Sequence, residues 1–227
     1  MAIVDVQQVT RTYKQGSVEV RALRGVDLAI EPGEFTALMG PSGSGKTTLL
    51  NLVGGLDRPS TGKVTIDGQD IAGMGATALS RLRLHRVGFV FQAYNLIPVL
   101  TALENAEFVL LLRGEPEAER REKVRKVLAE VGLQGLEDRR PSALSGGQQQ
   151  RVAVARAIAG QPALVLADEP TANLDSKTGD ALLETMGRLN REQGVTFVFA
   201  THDPKVMEHA RRVVRLVDGQ IAEDLRK

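Results

Sequence analysis

Residues 40–47 read Gly40-Pro41-Ser42-Gly43-Ser44-Gly45-Lys46-Thr47, which matches the pattern G-x-x-x-x-G-K-[ST]. The apolar residues 35–39 before this stretch are typical of a strand, and residues 48–53 after it are typical of a helix start. This order predicts a loop whose backbone N–H groups point at a bound polyphosphate. The dipole of the following helix adds partial positive charge at the same place. A glycine-rich turn without a ligand is the plainer alternative.

The last residues of the loop have side chains that suit a nucleotide triphosphate. Lys46 is expected to reach the β- and γ-phosphates, where it would also assist catalysis, and the Thr47 hydroxyl to complete a Mg²⁺ shell. The residues of this segment that we predict to contact the nucleotide are Gly40, Ser42, Gly43, Ser44, Gly45, Lys46, Thr47 and Thr48.

The composition limits the class of protein. The chain has 227 residues, no cysteine and a formal net charge of +1. This charge gives no electrostatic case for general nucleic-acid binding. The lack of cysteine excludes disulfides and thiolate metal sites and suits a reducing compartment. We expect no secretory signal, and the apolar runs are far shorter than the roughly 18 residues that span a bilayer. Any membrane role is therefore expected to require a partner.

Strands and helices alternate over most of the chain, which predicts an α/β core with a mainly parallel sheet. Short strands precede residue 40, and they are separated by a break at residues 10–11 and the polar turn at residues 14–17, with a further separate strand predicted over residues 23–30. They predict a small antiparallel sheet beside this core. Residues 95–158 contain no convincing strand and predict an inserted helical subdomain. We therefore predict a single domain, residues 1–227, with residues 1–94 and 159–227 forming the nucleotide-binding core and its antiparallel subdomain.

Polar residues follow three of the predicted buried strands. Asp168 and Glu169 come directly after one of them, and this pair suits a Mg²⁺ ligand followed by a general base. Gln92 ends another strand, and its amide oxygen can bind Mg²⁺ or orient a water. His202 follows a third strand, which we expect to lie beside that of Asp168, so that its imidazole could contact the γ-phosphate and steady Glu169.

Tyr13 lies in the first predicted hairpin. A flat aromatic side chain near the phosphate loop could stack on an adenine ring. A half-buried hairpin tyrosine is an equally good interpretation of the local sequence.

A second predicted anion-binding segment, Ser145-Gly146-Gly147-Gln148, opens a helix nearly a hundred residues after the first. If both segments serve one nucleotide, two geometries are possible. Either the helical insertion folds far back onto the phosphate loop, or two chains meet face to face.

Residues 144–148, Leu-Ser-Gly-Gly-Gln, resemble the signature motif of ABC-type ATPases, and the resemblance extends over essentially the whole chain. It implies ATP and Mg²⁺ as cofactors and a head-to-tail homodimer in which the signature of one copy closes over the ATP of the other. It also implies individual roles. Tyr13 matches the adenine-stacking aromatic, Gln92 the Q-loop glutamine, Asp168 the Walker B aspartate, Glu169 the catalytic glutamate, Asp175 the D-loop aspartate and His202 the switch histidine.

Residues 89–98 and 144–151 resemble the lipoprotein-release and macrolide-export branch of that family. The resemblance implies an ATPase subunit that drives a transmembrane permease from the cytoplasmic face of the membrane. From the short apolar runs and the net charge, we expect this subunit neither to insert into the membrane nor to bind nucleic acid. A subunit that signals across the membrane without moving solute, as in the related divisome ATPase, is the alternative. A soluble ABC ATPase acting on DNA or ribosomes, or an inactive subunit that only binds ATP, is less well supported by these residues.

Overall fold

The computed structural model describes residues 1–16 and 18–227. Its strands are β1 (Val4–Gln15), β2 (Val18–Ile30), β3 (Phe35–Met39), β4 (Thr61–Ile66), β5 (Gln69–Asp70), β6 (Val87–Val90), β7 (Leu164–Asp168), β8 (Thr196–Ala200), β9 (Arg212–Val217) and β10 (Gln220–Arg226). Its helices are α1 (Lys46–Val53), α2 (Ala76–Arg86), α3 (Ala102–Leu112), α4 (Glu117–Glu130), α5 (Gly146–Ile158), α6 (Ser176–Gln193) and α7 (Pro204–His209), with a 3-10 turn at Pro141–Ala143.

The larger sheet has the strand order β10-β9-β3-β8-β7-β6. The pairs from β9 to β6 are parallel, and β10 joins the edge as an antiparallel strand. The prediction of an α/β fold with a mainly parallel sheet is confirmed. Because the carboxyl ends of parallel strands meet at one edge of a sheet, the segments that follow β3, β6, β7 and β8 come together there.

Both faces of the central strands β3, β8 and β7 are buried, which explains why these strands are mainly apolar. Side chains of successive residues alternate between the faces. In β8, Phe197 and Phe199 pack with the helical residues of α3 to α6, whereas Val198 and Ala200 pack with α1 and the smaller sheet. The buried sheet therefore fixes the positions of the strand ends.

The smaller sheet is antiparallel and has the order β2-β1-β4-β5. The predicted break at residues 10–11 and the separate strand predicted for residues 23–30 are wrong, because β1 and β2 each run on as one strand. Irregularities in the register occur between Val6 and Val9, Val9 and Thr10, and Arg11 and Thr12. Such bulges interrupt the alternation of side chains without ending the ladder. Ser17, the last residue of the predicted turn, lies outside the described residues.

Between β6 and β7 the described chain is helical. Helix α3 begins with a capping box, in which Thr101 and Glu104 accept each other's backbone N–H groups. Buried residues of α3, α4 and α5 share a core with one face of the larger sheet. The division of the chain at residues 95 and 158 stays a prediction. Within the described residues, no helix is both long and apolar enough to cross a bilayer.

Candidate nucleotide-binding site

The phosphate loop connects β3 to α1, as the sequence predicts. Gly45 precedes the helix with a φ of 102°, in the left-handed region that favours glycine. A Cβ atom at this position would lie 2.6 Å from the carbonyl oxygen of Ala22 and 2.8 Å from Leu23 Cδ2. Strand β2 of the smaller sheet therefore packs directly against the loop, and only glycine fits between them.

Lys46 is a nearly buried cation at the start of α1. Its ammonium donates to the carbonyl oxygens of Gly40, at 2.8 Å, and Pro41, at 3.0 Å, both within the loop itself. These partners are neutral, so the positive charge retains its attraction for an anion. The loop thus fits a polyphosphate group.

Thr47 and Asp168 come together from α1 and β7. The Thr47 hydroxyl donates to Asp168 Oδ1 at 3.3 Å. Burial raises the pKa of the Asp168 carboxyl, while the hydrogen bond from Thr47 opposes that rise and the charge of Glu169 adds to it. A cation beside Asp168 would stabilise its ionised form. The Thr47 hydroxyl and the Asp168 carboxylate are oxygen ligands of the kind that Mg²⁺ takes, together with phosphate oxygens and waters.

Both carboxylate oxygens of Glu169 contact residues that follow the neighbouring strand β8. The Thr201 hydroxyl donates to Oε2 at 2.9 Å, and His202 Nδ1 lies 2.7 Å from Oε1. The backbone of Glu169 has a φ of 46°, and its N–H donates to the carbonyl oxygen of Ala200 at 2.8 Å. The side chain of Glu169 is 17% exposed and that of His202 is 74% exposed. The expected adjacency of the two strands is confirmed by their parallel pairing.

The sequence analysis missed Thr201, which is fully buried. Its position directly after β8, beside the strand that ends in Asp168, is the signal that would have identified it. Its hydroxyl also accepts from the N–H of Asp203 at 3.0 Å. Thr201 therefore fixes the Glu169 carboxylate relative to the loop that carries His202.

Replacing Thr201 with Val is expected to lower the rate of ATP hydrolysis by about 10-fold, the effect of losing one hydrogen bond to a charged group. The dissociation constant for ATP should stay the same, because Thr201 acts on Glu169 and not on the phosphate loop. Steady-state hydrolysis and calorimetric titration with ATP measure the two effects. Thr201→Ser keeps the hydroxyl and should hydrolyse ATP at the normal rate; equal loss in both variants would contradict this role.

Most of the predicted residues border one cavity of about 760 Å³. Those predicted from sequence are Tyr13, Ser42, Gly43, Gly45, Lys46, Thr47, Thr48, Gln92, Glu169 and His202. The others are Val20, Arg21, Ala22, Pro41 and Ala172, which the sequence analysis missed.

Gln92 follows β6, and its carbonyl oxygen accepts from Asn173 Nδ2 at 2.8 Å. Gly40 and Ser44 belong to the same loop; Ser44 is buried.

Tyr13 stands on the rim of this cavity and is 36% exposed. Its hydroxyl donates to Asp57 Oδ2 at 2.7 Å, and the Arg11 guanidinium lies 4.5 Å from the ring centre. Arg11 also pairs with Asp57 at 2.8 Å. The ring is thus fixed in orientation while part of it remains accessible. Its contact with adenine stays a prediction.

Replacing Tyr13 with Ala is expected to weaken ATP binding by about 10-fold, since stacking of a base on an aromatic ring contributes roughly 1–3 kcal/mol. Tyr13→Phe should bind ATP almost as the unaltered protein does, because the ring is retained. Calorimetric titration measures both. Inorganic triphosphate serves as the control ligand because it has no base: if Tyr13→Ala weakened its binding as much as that of ATP, stacking would not be the cause.

The second predicted anion-binding segment lies at the start of α5. Ser145 and Gln148 form a capping box, with Ser145 N–H to Gln148 Oε1 at 2.9 Å and Gln148 N–H to Ser145 Oγ at 3.3 Å. A Cβ atom on Gly147 would lie 2.3 Å from Thr178 Cγ2. Within the described chain, neither this segment nor Asp175, which caps α6, borders the cavity that contains Lys46. The geometry in which the insertion folds back onto its own phosphate loop is therefore not the one observed.

Residues 23–172 match the family model described as ABC transporter. The chain belongs to the ABC transporter family. This confirms the resemblance stated above and the prediction of an ABC-type ATPase that uses ATP with Mg²⁺.

Similar proteins lie in the predicted branch of the family. The chain is 45% identical to a lipoprotein-releasing system ATP-binding protein, LolD, of Geobacter metallireducens, over 98% of this chain and 99% of the relative. It is 47% identical to a macrolide export ATP-binding/permease protein, MacB, of Syntrophobacter fumaroxidans, over 97% of this chain. That alignment covers 31% of the MacB protein, so the chain spans about a third of such relatives.

A solved structure has the same fold. It is an ATP-binding cassette of Methanocaldococcus jannaschii in a dimeric, post-hydrolysis state with ADP and Pi, and it is 44% identical to this chain. The TM-score is 0.91, and the comparison covers 98% of each chain. The predicted fold class, an ABC-type P-loop core, is thereby confirmed.

Proposed function

We propose that two copies of this ABC transporter subunit close around two Mg-ATP molecules, and that their ATP hydrolysis drives a membrane permease. The observation that supports this most strongly is the separation of the two anion-binding segments. Lys46, Glu169 and His202 share a cavity, while residues 145–148 lie outside it. A second copy that faces the first would place its own residues 145–148 over this cavity. The dimeric state of the Methanocaldococcus jannaschii relative agrees with this arrangement.

In this proposal the phosphate loop and Lys46 bind the β- and γ-phosphates, and Tyr13 contacts the adenine. Mg²⁺, held by Thr47 and Asp168 with Gln92 near, would neutralise charge on the phosphates and polarise the γ-phosphoryl group. The γ-phosphate accepts hydrogen bonds from four residues of the other copy, namely Ser145, Gly146, Gly147 and Gln148. Asp175 lies close to the contact between the copies.

Glu169 is the proposed general base. Its carboxylate accepts the proton of the attacking water, while Thr201 and His202 hold its two oxygens in place. His202 is largely exposed toward the cavity, so its imidazole is available to the γ-phosphate. Lys46 stabilises the negative charge that develops on the phosphoryl oxygens.

The γ-phosphate is shared between the two copies and so holds them together. Hydrolysis and release of phosphate remove that shared anion, and the copies separate. We propose that residues 95–158, with the loop after Gln92, carry this movement to the permease. Val99, Leu111 and Leu112 in this part of the chain are exposed apolar side chains and are available for such a contact.

The finer part of the proposal is export, of the lipoprotein-release or macrolide type, from the cytoplasmic face of the membrane. The names of the relatives LolD and MacB support it. Signalling across the membrane without movement of solute is the alternative, and it would use the same ATPase site.

The test is purification of the tagged chain from native membranes, with identification of the permease that accompanies it. The purified complex is then assayed in vesicles for ATP-dependent release of an acylated lipoprotein to a soluble acceptor, and for efflux of a macrolide. Release or efflux that requires ATP would support export. ATP hydrolysis by the complex without either would favour the signalling alternative.

A further inference from the structure

Helix α5 makes two sets of bonds to the active-site loops of its own chain. Gln150 is 0% exposed, and its Nε2 donates to the carbonyl oxygen of Pro170 at 2.9 Å. Arg156 donates to the carbonyl oxygens of Tyr94, at 2.9 Å, and Asn95, at 2.5 Å. Pro170 follows Glu169 directly, and Tyr94 and Asn95 follow Gln92 by two and three residues. One helix thus holds both loops.

These loops have a backbone that needs support. Glu169 has a φ of 46°, Tyr94 of 57° and Asn95 of 50°, all in the left-handed region and none of them glycine. Such conformations persist where surrounding contacts over-determine them. The bonds from Gln150 and Arg156 to adjacent carbonyl groups are contacts of this kind.

Both side chains are set into the protein on these carbonyl groups. Gln150 is fully buried, and of its two amide atoms Nε2 bonds to Pro170 while Oε1 has no hydrogen-bond partner among the described residues. Arg156 donates to two successive carbonyl groups of the other loop, and its burial lowers the pKa of the guanidinium. The polar groups of both side chains are thus directed at the two loops, which points to a role in positioning.

The N-terminus of the same helix carries the segment that, in the proposed dimer, contacts the nucleotide of the other copy. The helix spans 13 residues, with Gln150 near its start and Arg156 near its end. An α-helix moves as a stiff rod over this length, and a hydrogen bond weakens steeply when its atoms separate. A movement of residues 145–148 would therefore change the hydrogen bonds that α5 donates to Pro170, Tyr94 and Asn95.

We propose that Gln150 and Arg156 are positioning residues that make the base Glu169 of one site respond to the nucleotide in the other site. Residues 145–148 of a given copy contact the ATP bound by its partner, whereas Glu169 of that copy acts on its own ATP. Helix α5 connects the two, so hydrolysis at each site depends on occupancy of both. This inference rests on the proposed dimer and adds the route by which its sites communicate.

The experiment compares volume-conserving variants on the same helix. Gln150→Met and Arg156→Met remove the bonds to the active-site loops. Arg151→Met is the matched control, because the Arg151 side chain donates to Val131 O at 3.0 Å, away from those loops. Arg156→Lys keeps the charge and is the conservative variant. ATP hydrolysis is measured over a range of ATP concentrations, together with the ATP dissociation constant.

In Gln150→Met and Arg156→Met the Hill coefficient of hydrolysis should fall from its normal value toward about 1, the value for independent sites. The maximal rate should fall by about 10-fold, while the ATP dissociation constant is unchanged. Arg156→Lys should lie between Arg156→Met and the unaltered protein, and the control Arg151→Met should match the unaltered protein. If Gln150→Met does not fold, the comparison of Arg156→Met with Arg156→Lys decides the result.

An unchanged Hill coefficient in Gln150→Met and Arg156→Met would overturn the inference, as would an equal decrease in Arg151→Met or independent sites in the unaltered protein. Failure of the proposed function would look different. Each variant is also combined with Glu169→Gln, and its dimerisation in Mg-ATP is measured. If Glu169→Gln alone stays monomeric, the dimer itself is wrong; if it dimerises but the Hill coefficients do not change, only the communication route is wrong.

Discussion

Replacing Glu169 with Gln is expected to lower the rate of ATP hydrolysis by about 10²–10⁴-fold, the contribution typical of a general base. Glutamine keeps the shape of the side chain and can still accept from the Thr201 hydroxyl, which lies 2.9 Å from Glu169 Oε2 in the unaltered protein. It cannot take up the proton of the attacking water. ATP should therefore bind without being cleaved, and the γ-phosphate should continue to hold two copies together.

Hydrolysis is measured as phosphate release, and the oligomeric state by light scattering during size-exclusion chromatography in Mg-ATP and in Mg-ADP. A stable dimer in ATP that separates in ADP is the expected result. Glu208→Gln is the matched control, because Glu208 is an exposed residue of α7 and its replacement should change neither measurement. Turnover at the normal rate in Glu169→Gln would remove Glu169 from the chemistry, and a monomer saturated with ATP would argue against the shared nucleotide.

Two inactive variants are expected to restore activity when they are mixed. Lys46→Ala removes the cation of the phosphate loop, and Ser145→Arg removes the cap of α5 and places a large side chain at its exposed start. Each alone should lower hydrolysis by about 10² or more, the effect of losing a group that stabilises developing charge. In a mixed dimer, one site contains both defects and the other contains neither. With random pairing, independent sites would recover up to about a quarter of normal activity, and the communication between sites inferred above should make the recovery smaller.

A second mixture is the control for this experiment. Lys46 and Glu169 border the same cavity of one chain, so Lys46→Ala mixed with Glu169→Gln leaves one defect in each site and should recover no activity. Hydrolysis is measured as a function of the mixing ratio. Equal recovery in both mixtures would contradict an active site built from two copies.

The parts of the site that the sequence predicted are those set by short-range geometry. The loop of residues 40–47 is defined by glycine conformation and by the strand and helix beside it, all within a few residues. Asp168, Glu169 and His202 were predicted because polar residues that end parallel strands meet at one edge. The helix start at residues 145–148 was predicted from a serine and two glycines, which is also a local pattern. The roles of these residues in binding and catalysis stay predictions.

The parts that the sequence did not predict depend on contacts between distant residues. The wall of the cavity formed by Val20, Arg21 and Ala22 depends on how the smaller sheet packs against Gly45. The bonds from α5 join residues 20 and about 60 positions apart. The continuity of β1 and β2 was missed because bulges interrupt the two-residue period while pairing continues.

The two hydrogen bonds from Lys46 to carbonyl groups of its own loop have a consequence for affinity. They hold the loop in shape before any ligand arrives. The entropy cost of ordering that backbone is therefore met when the chain folds, and not when a triphosphate binds. More of the free energy of binding is then left to draw two molecules together, which is the work that a reversible, ligand-dependent association requires of a preorganised receptor.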